Sequence, residues 1–199
     1  MTPANDDPCC LFWIDLETTG LDPARDLVLE CAYQVTSFAY PFSPLSKLRT
    51  VLTLATDEDV TEAYGLADEK VREMHDAGGL WRDLRLGRSE SEPATTIPLL
   101  EADLLALSDG WPTGKSKPLL AGSSVHFDMA FLRRYMPRFA ARLSYRIFDV
   151  SAAWMVLRST GMQYEKAISP HRAGSDLAAS QALAHACASW ATQKKGAGV

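Results

Sequence analysis

The sequence predicts an α/β domain: a mixed central sheet, its first three strands antiparallel and the later ones parallel, flanked by helices. Three observations carry that reading. Three β-favouring apolar runs come first, helical and strand-like runs alternate afterwards, and 199 residues with 47% hydrophobic content suit one domain with a sizeable core.

The elements follow in order. Leu11 to Leu16 reads as a strand, GLDPARD as a turn, and Leu27 to Phe38 as a paired second strand that ends before Pro41 and Pro44. Leu48 to Leu54 makes a third strand and completes a meander. Glu58 to Met74 reads as a helix closed by Gly78 and Gly79. Ile97, Leu100, Leu104 and Leu107 have helical spacing, and DGWPTGKSKP is a surface loop. Leu119 to Ala121 is a short buried strand, Asp128 to Tyr135 a helix with Phe127, Phe131, Leu132 and Tyr135 toward the core, and Arg146 to Val150 a strand. Helices over Ser151 to Ser159 and Ser175 to Ala191 end the domain, which is expected to span 11–191 between a flexible leader (1–10) and a flexible tail (192–199).

Composition narrows the function. The formal net charge of −5 disfavours a binder of long duplexes, whose affinity comes from neutralising many phosphates, but leaves small anionic substrates open. Cys9, Cys10, Cys31 and Cys187 lack CxxC spacing, which argues against a disulfide framework or a zinc site. MTPANDDPCC has no basic n-region, and no apolar run approaches membrane-spanning length, so a soluble cytoplasmic protein is expected. Arg134, Arg138 and Arg142 recur at i, i+4 and would form a solvated basic stripe. Of the tryptophans, Trp13 and Trp190 are expected in the core, with Trp81 and Trp111 at a dimer surface or near the site.

LFWIDLETTG ends an apolar strand with two acids. Residues i and i+2 of a strand share a face, so Asp15 and Glu17 project side by side, where they should repel unless a divalent cation sits between them. An isolated pair of this kind is more often a solvated strand end. Asp128 and Asp176 each open a helix, where an acid also complements the helix dipole, and Asp149 precedes a third. His171 lies five residues before Asp176 on a loop bounded by Pro and Gly.

Taken together, DLETTGLDP, GSSVHFDMAFLRRYMP and the H-x4-D spacing from His171 to Asp176 resemble the three motifs of the DEDDh exonucleases, a group of the ribonuclease H-like superfamily. Within it the chain is most similar to oligoribonucleases, through MHDAGGL, LLAGSS and YRIFDVS as well, from Leu11 to about Trp190. The resemblance implies a ribonuclease H-like fold, with Asp15, Glu17, Asp128 and Asp176 binding two Mg²⁺ or Mn²⁺ ions and His171 as general base. It implies hydrolysis from the 3′ end to 5′ mononucleotides.

It further implies a homodimer acting on dinucleotides and other very short oligonucleotides. Ser124, Arg146 and Ser151 would cap the 5′ phosphate, and Tyr145 would reach into the partner subunit's site. Leu21 would wedge between the bases, and His75 also matches. Two positions depart from the family: Lys70 replaces a tryptophan near the base, and Thr18 a methionine, which opens short DNA beside RNA as substrate. Exonucleases trimming or proofreading longer single strands, and an inactive nucleic-acid-binding module, are the alternatives.

Overall fold

A computed structural model describes residues 7–54, 56–88, 92–165 and 168–196. Strand β1 (Leu11–Thr18) lies at the centre of a five-stranded sheet of order β3-β2-β1-β4-β5. On one side β1 pairs antiparallel with β2 (Val28–Thr36), and β2 with β3 (Arg49–Leu52). On the other side β4 (Leu119–Gly122) and β5 (Ile147–Asp149) run parallel to it. This is the expected mixed sheet.

The helices are α1 (Asp57–Leu66), α2 (Glu69–Ala77), α3 (Leu80–Arg85), α4 (Ile97–Leu107), α5 (His126–Tyr135), α6 (Pro137–Ala140), α7 (Val150–Ser159) and α8 (Ala173–Gly196). They cover both faces of the sheet, which is why β1 begins as an unbroken apolar run. Phe12 and Ile14 pack with Leu100, Leu104, Met129, Leu132 and Phe139 of α4, α5 and α6. Leu11 and Trp13 alternate to the other face and pack with Val150 of α7 and Leu177, Leu183 and Cys187 of α8. Asp15 and Glu17 continue that second face, so the chain's alternation aims both acids toward α8. A third cluster seats Leu29 and Leu52 against α1 and α3.

Several expectations need correction. The helix expected over Glu58 to Met74 is two helices, because Ala67 is extended (ψ 138) and the Asp68 side chain accepts from Val71 N–H to start α2 afresh. Gly78 and Gly79 do end α2, but Gly79 is left-handed (φ 73) and turns the chain directly into the unforeseen α3. The basic stripe breaks up: α5 ends at Tyr135, Pro137 opens α6, and Arg142 lies beyond it. Phe127 is exposed in the first turn of α5 rather than in the core. Trp13 is in the core, as expected; Trp81 is fully buried too, so of its two expected places only the one near the site remains, against His75; Trp190 and Trp111 are packed at core margins.

Of the leader, residues 1–6 lie outside the described residues, while Cys10 is buried and Cys9 N–H donates to the Ser116 carbonyl. In the tail, α8 continues to Gly196 and residues 197–199 lie outside the described residues. The four cysteines are free. Among the described residues, no helix is long and apolar enough to cross a membrane.

Candidate active site

Asp15, Glu17 and Asp176 each present a carboxylate oxygen within 4.8 Å of the others. Two come from the carboxyl end of β1 and the third from the first turn of α8, the helix their face of the strand meets. Asp128 arrives from the first turn of α5, and its Oδ1 accepts from Leu16 N–H at 3.0 Å, so it stands against the strand between the two β1 acids.

The electrostatics show how much counter-charge this cluster lacks. Burial, with the Asp176 and Glu30 charges, pushes Asp15 up to about 7. Burial, then Asp15 and Asp176, pushes Glu17 up to about 9. Asp128 is also held well above the usual carboxylate range, by burial first and Asp15 second. Among the described residues, neither Asp15 nor Glu17 has an ion pair with Lys or Arg; Glu17 has only His75, with Nδ1 at 3.8 Å from Oε2. Burial lowers the pKa of His75, so it is neutral near pH 7 and supplies no compensating charge. The three converging carboxylates of Asp15, Glu17 and Asp176, with Asp128 against the same strand, make a hard-oxygen donor set, which fits a divalent cation such as Mg²⁺ or Mn²⁺.

His75 is fully buried on α2. Its Nε2 lies 3.0 Å from the Thr18 carbonyl, which ties α2 to the end of β1 beside Glu17. Its ring meets Trp81 edge-on at 6.0 Å. His171 is exposed on the turn before α8, in the left-handed region (φ 53). The Ser169 hydroxyl connects this turn to the cluster, accepting from His171 N–H at 2.9 Å and donating to Asp176 Oδ2 at 2.7 Å.

Leu21 is 72% exposed at the tip of the loop after β1. That loop folds around the buried Asp26 carboxylate, which accepts from Asp22 N–H at 2.9 Å and ion-pairs with Arg25. Thr18 turns its hydroxyl onto the Gly20 carbonyl at 2.6 Å, and Lys70 is exposed on α2.

The expected phosphate-cap residues fall into two groups. Ser124 and Ser151 come together at the carboxyl ends of β4 and β5, where their N–H groups both donate to Asp149 Oδ1, which caps α7. Tyr145 and Arg146 lie at the other end: Ser144 N–H donates to the Pro118 carbonyl, ahead of β4. Ile147, the next residue along, is level with Leu120 and hence Phe12. Three residues of strand, about 10 Å, separate that level from Asp15. Tyr145 is 81% exposed, and Arg146 stacks over its ring. Both line a cavity of about 700 Å³ with Lys117 and Arg133.

Sequence reasoning missed the residues behind His171. Glu30, fully buried on β2 and opposite Glu17 in register, is ion-paired to Arg172, which also reaches Asp83 on α3. The available signal was an acid inside the apolar strand VLECAYQV, which requires a cationic partner when buried.

The fold is that of the ribonuclease H-like exonucleases. Escherichia coli exonuclease I, in a zinc-bound complex with single-stranded DNA, superposes with a TM-score of 0.65 over 92% of this chain at 16% identity, and the chain spans 41% of that enzyme. No family profile matches the chain. An oligoribonuclease of Pseudomonas paraeruginosa is 35% identical over 145 residues, 73% of each chain. One of Sodalis glossinidius is 38% identical over 149 residues, 75% of this chain and 74% of the relative. The chain belongs to the oligoribonuclease family. It is an exonuclease, and its Asp15, Glu17 and Asp176 cluster fits a metal-dependent active site.

Proposed function

We propose that the chain hydrolyses dinucleotides and other very short oligonucleotides from the 3′ end to 5′ mononucleotides, with two Mg²⁺ or Mn²⁺ ions held by Asp15, Glu17, Asp128 and Asp176. The observation that carries this is the convergence of the Asp15, Glu17 and Asp176 carboxylates beside the His171 turn, with Asp128 held against the same strand at Leu16 N–H. When bound, the ions would supply positive charge to the scissile phosphate and the departing 3′ oxygen and acidify the attacking water. His171 takes the water's proton on an imidazole nitrogen. Leu21, held out by the Asp26-centred loop, separates the two bases.

Substrate length follows from where the cap residues lie. Ser124 and Ser151 stand on the carboxylate end of the sheet, whereas Tyr145 and Arg146 project from the opposite end and serve the site of a second copy. The homodimer closes the 5′ side of the pocket and limits the substrate to very short chains. A lone subunit leaves that side open, which favours a second reading in which the monomer trims longer single strands. Thr18 and Lys70 offer neither the methionine nor the tryptophan of the family, so RNA and DNA dinucleotides are both substrates, and preference for the deoxy form would rest on these two positions. The four free thiols support a cytoplasmic location.

The test is the initial rate at which 5′-labelled RNA and DNA dinucleotides, and a long oligomer of each, lose their 3′ nucleotide with Mg²⁺ or Mn²⁺. Steep decline of rate with length supports the dimeric cap. Equal rates on long and short chains support the open monomer, and intact dinucleotides of both kinds overturn the proposal.

A further inference from the structure

We infer that Arg172 is a positioning residue for His171: it clamps the turn that carries the base, an inference that rests on His171 acting as the base. Arg172 follows His171 directly and immediately precedes α8. One guanidinium grips three elements. Nη2 donates to Glu30 Oε1 on β2 at 2.7 Å, Nε reaches Glu30 Oε2 at 3.2 Å, and Nη1 donates to Asp83 Oδ2 on α3 at 2.7 Å and to the Gly78 carbonyl beyond α2 at 3.3 Å. Ala173 N–H donates to Glu30 Oε2 at 2.8 Å, so both residues after His171 are anchored to one buried carboxylate.

The turn needs such an anchor. A non-glycine residue in the left-handed region is disfavoured and persists where its surroundings hold it. His171 is exposed, and the hydrogen bond that its backbone N–H makes runs to Ser169 within the same turn. The hold therefore comes from the neighbours. Arg172 supplies it from below, and the α2–α3 corner supplies it from the side, where a Cβ on Gly78 would stand 2.5 Å from the Pro170 carbonyl. The planar fork matters, because an ammonium is a point charge that cannot satisfy acceptors on β2, on α3 and at Gly78 together.

Arg172 could also act on the metal site, since Glu30 faces Glu17 across the strands and adds to the repulsion at Asp15. Arg172→Lys tests the fork, and Asp83→Asn loosens the clamp while leaving the Glu30 pair intact. Each is made alone and with His171→Ala, then assayed for kcat and KM on a dinucleotide, Mn²⁺ affinity by calorimetry, and thermal unfolding. A displacement of the base by about 1 Å costs on the order of 100-fold in turnover, so Arg172→Lys should lower kcat by roughly that factor and Asp83→Asn by roughly 10-fold. KM and Mn²⁺ affinity should hold within about twofold, because the carboxylates are carried by β1, α5 and the α8 helix rather than by the turn itself. Neither substitution should lower kcat further once His171 is alanine.

An equal fold-loss in the His171→Ala background, or a loss that tracks Mn²⁺ affinity, overturns the inference. So does unchanged kcat in Arg172→Lys and Asp83→Asn while His171→Ala is inactive. If His171→Ala itself turns over at the wild-type rate, the base assignment falls first, and the inference with it.

Discussion

Stripping the divalent cation should make the protein's stability depend on pH in a direction opposite to ordinary surface carboxylates. In the folded chain Asp15 is raised from 3.8 to about 7 and Glu17 from 4.5 to about 9. A carboxyl group raised on folding stabilises while it is protonated. Its contribution is complete below its unfolded pKa and is lost as pH rises through its folded pKa, so the losses here run from about pH 4 to pH 7 for Asp15 and on to pH 9 for Glu17. A tenfold change in proton affinity is worth about 1.4 kcal/mol, so Asp15 alone represents about 4 kcal/mol. Glu17 is not added in full, because the same mutual repulsion raises both. For a chain of this length about 4 kcal/mol corresponds to roughly 8–16 °C in Tm.

The assay is thermal unfolding followed by circular dichroism in EDTA at pH 5, 7 and 9, repeated with excess Mg²⁺. Without metal, Tm should fall by about 10 °C between pH 5 and 9. With Mg²⁺ the fall should vanish or reverse, since the ion competes with protons for the same oxygens. Asp15→Asn, which removes one charge without changing shape, should flatten the metal-free profile. A flat wild-type profile in EDTA, unresponsive to Mg²⁺, would refute the picture of a buried, mutually repelling cluster.

Other substitutions probe single supports of the site. Gly78→Ala should push its new methyl against the Pro170 carbonyl and displace the His171 turn, costing about 1–3 kcal/mol in stability and lowering kcat while Mn²⁺ binding persists; unfolding and turnover together check this. Asp26→Ala should release the Leu21 loop, raising dinucleotide KM more than it lowers kcat and costing about 1–3 kcal/mol through unpaired donors; steady-state kinetics and denaturant unfolding read both. Mixing Tyr145→Ala with Asp15→Ala protein should restore activity through hybrid dimers whose intact carboxylate cluster meets an intact partner tyrosine. Mixtures as inactive as the separate proteins would place Tyr145 outside a shared site.

The mixed sheet and the acids that the structure brings together were legible because each rests on a short stretch of chain. Strand alternation alone puts Asp15 and Glu17 on one face, and each remaining acid sits at a helix start beside its own motif. The clamp was not legible. Arg172 is 142 residues from Glu30 and 89 from Asp83, and a salt bridge across such separations leaves no periodic trace in the sequence. The break between α1 and α2 was hidden for a different reason: Ala67 has a high helix propensity, and the break lies in the Asp68 cap that follows. The position of Tyr145 and Arg146 needed strand register, since their distance from Asp15 depends on which residues of β4 and β5 stand level with β1.

A metal-dependent exonuclease for very short chains is tested most directly by its initial rate on a 5′-labelled dinucleotide against a long oligomer of the same composition. RNA and DNA are run in parallel with Mg²⁺ or Mn²⁺, and His171→Ala serves as the control. The intact labelled substrate should be consumed, fastest for the dinucleotide, which yields labelled 5′ mononucleotide in one cleavage, and at a severely reduced rate in the control. Dinucleotides left intact by the metal-loaded wild-type protein would contradict the assignment.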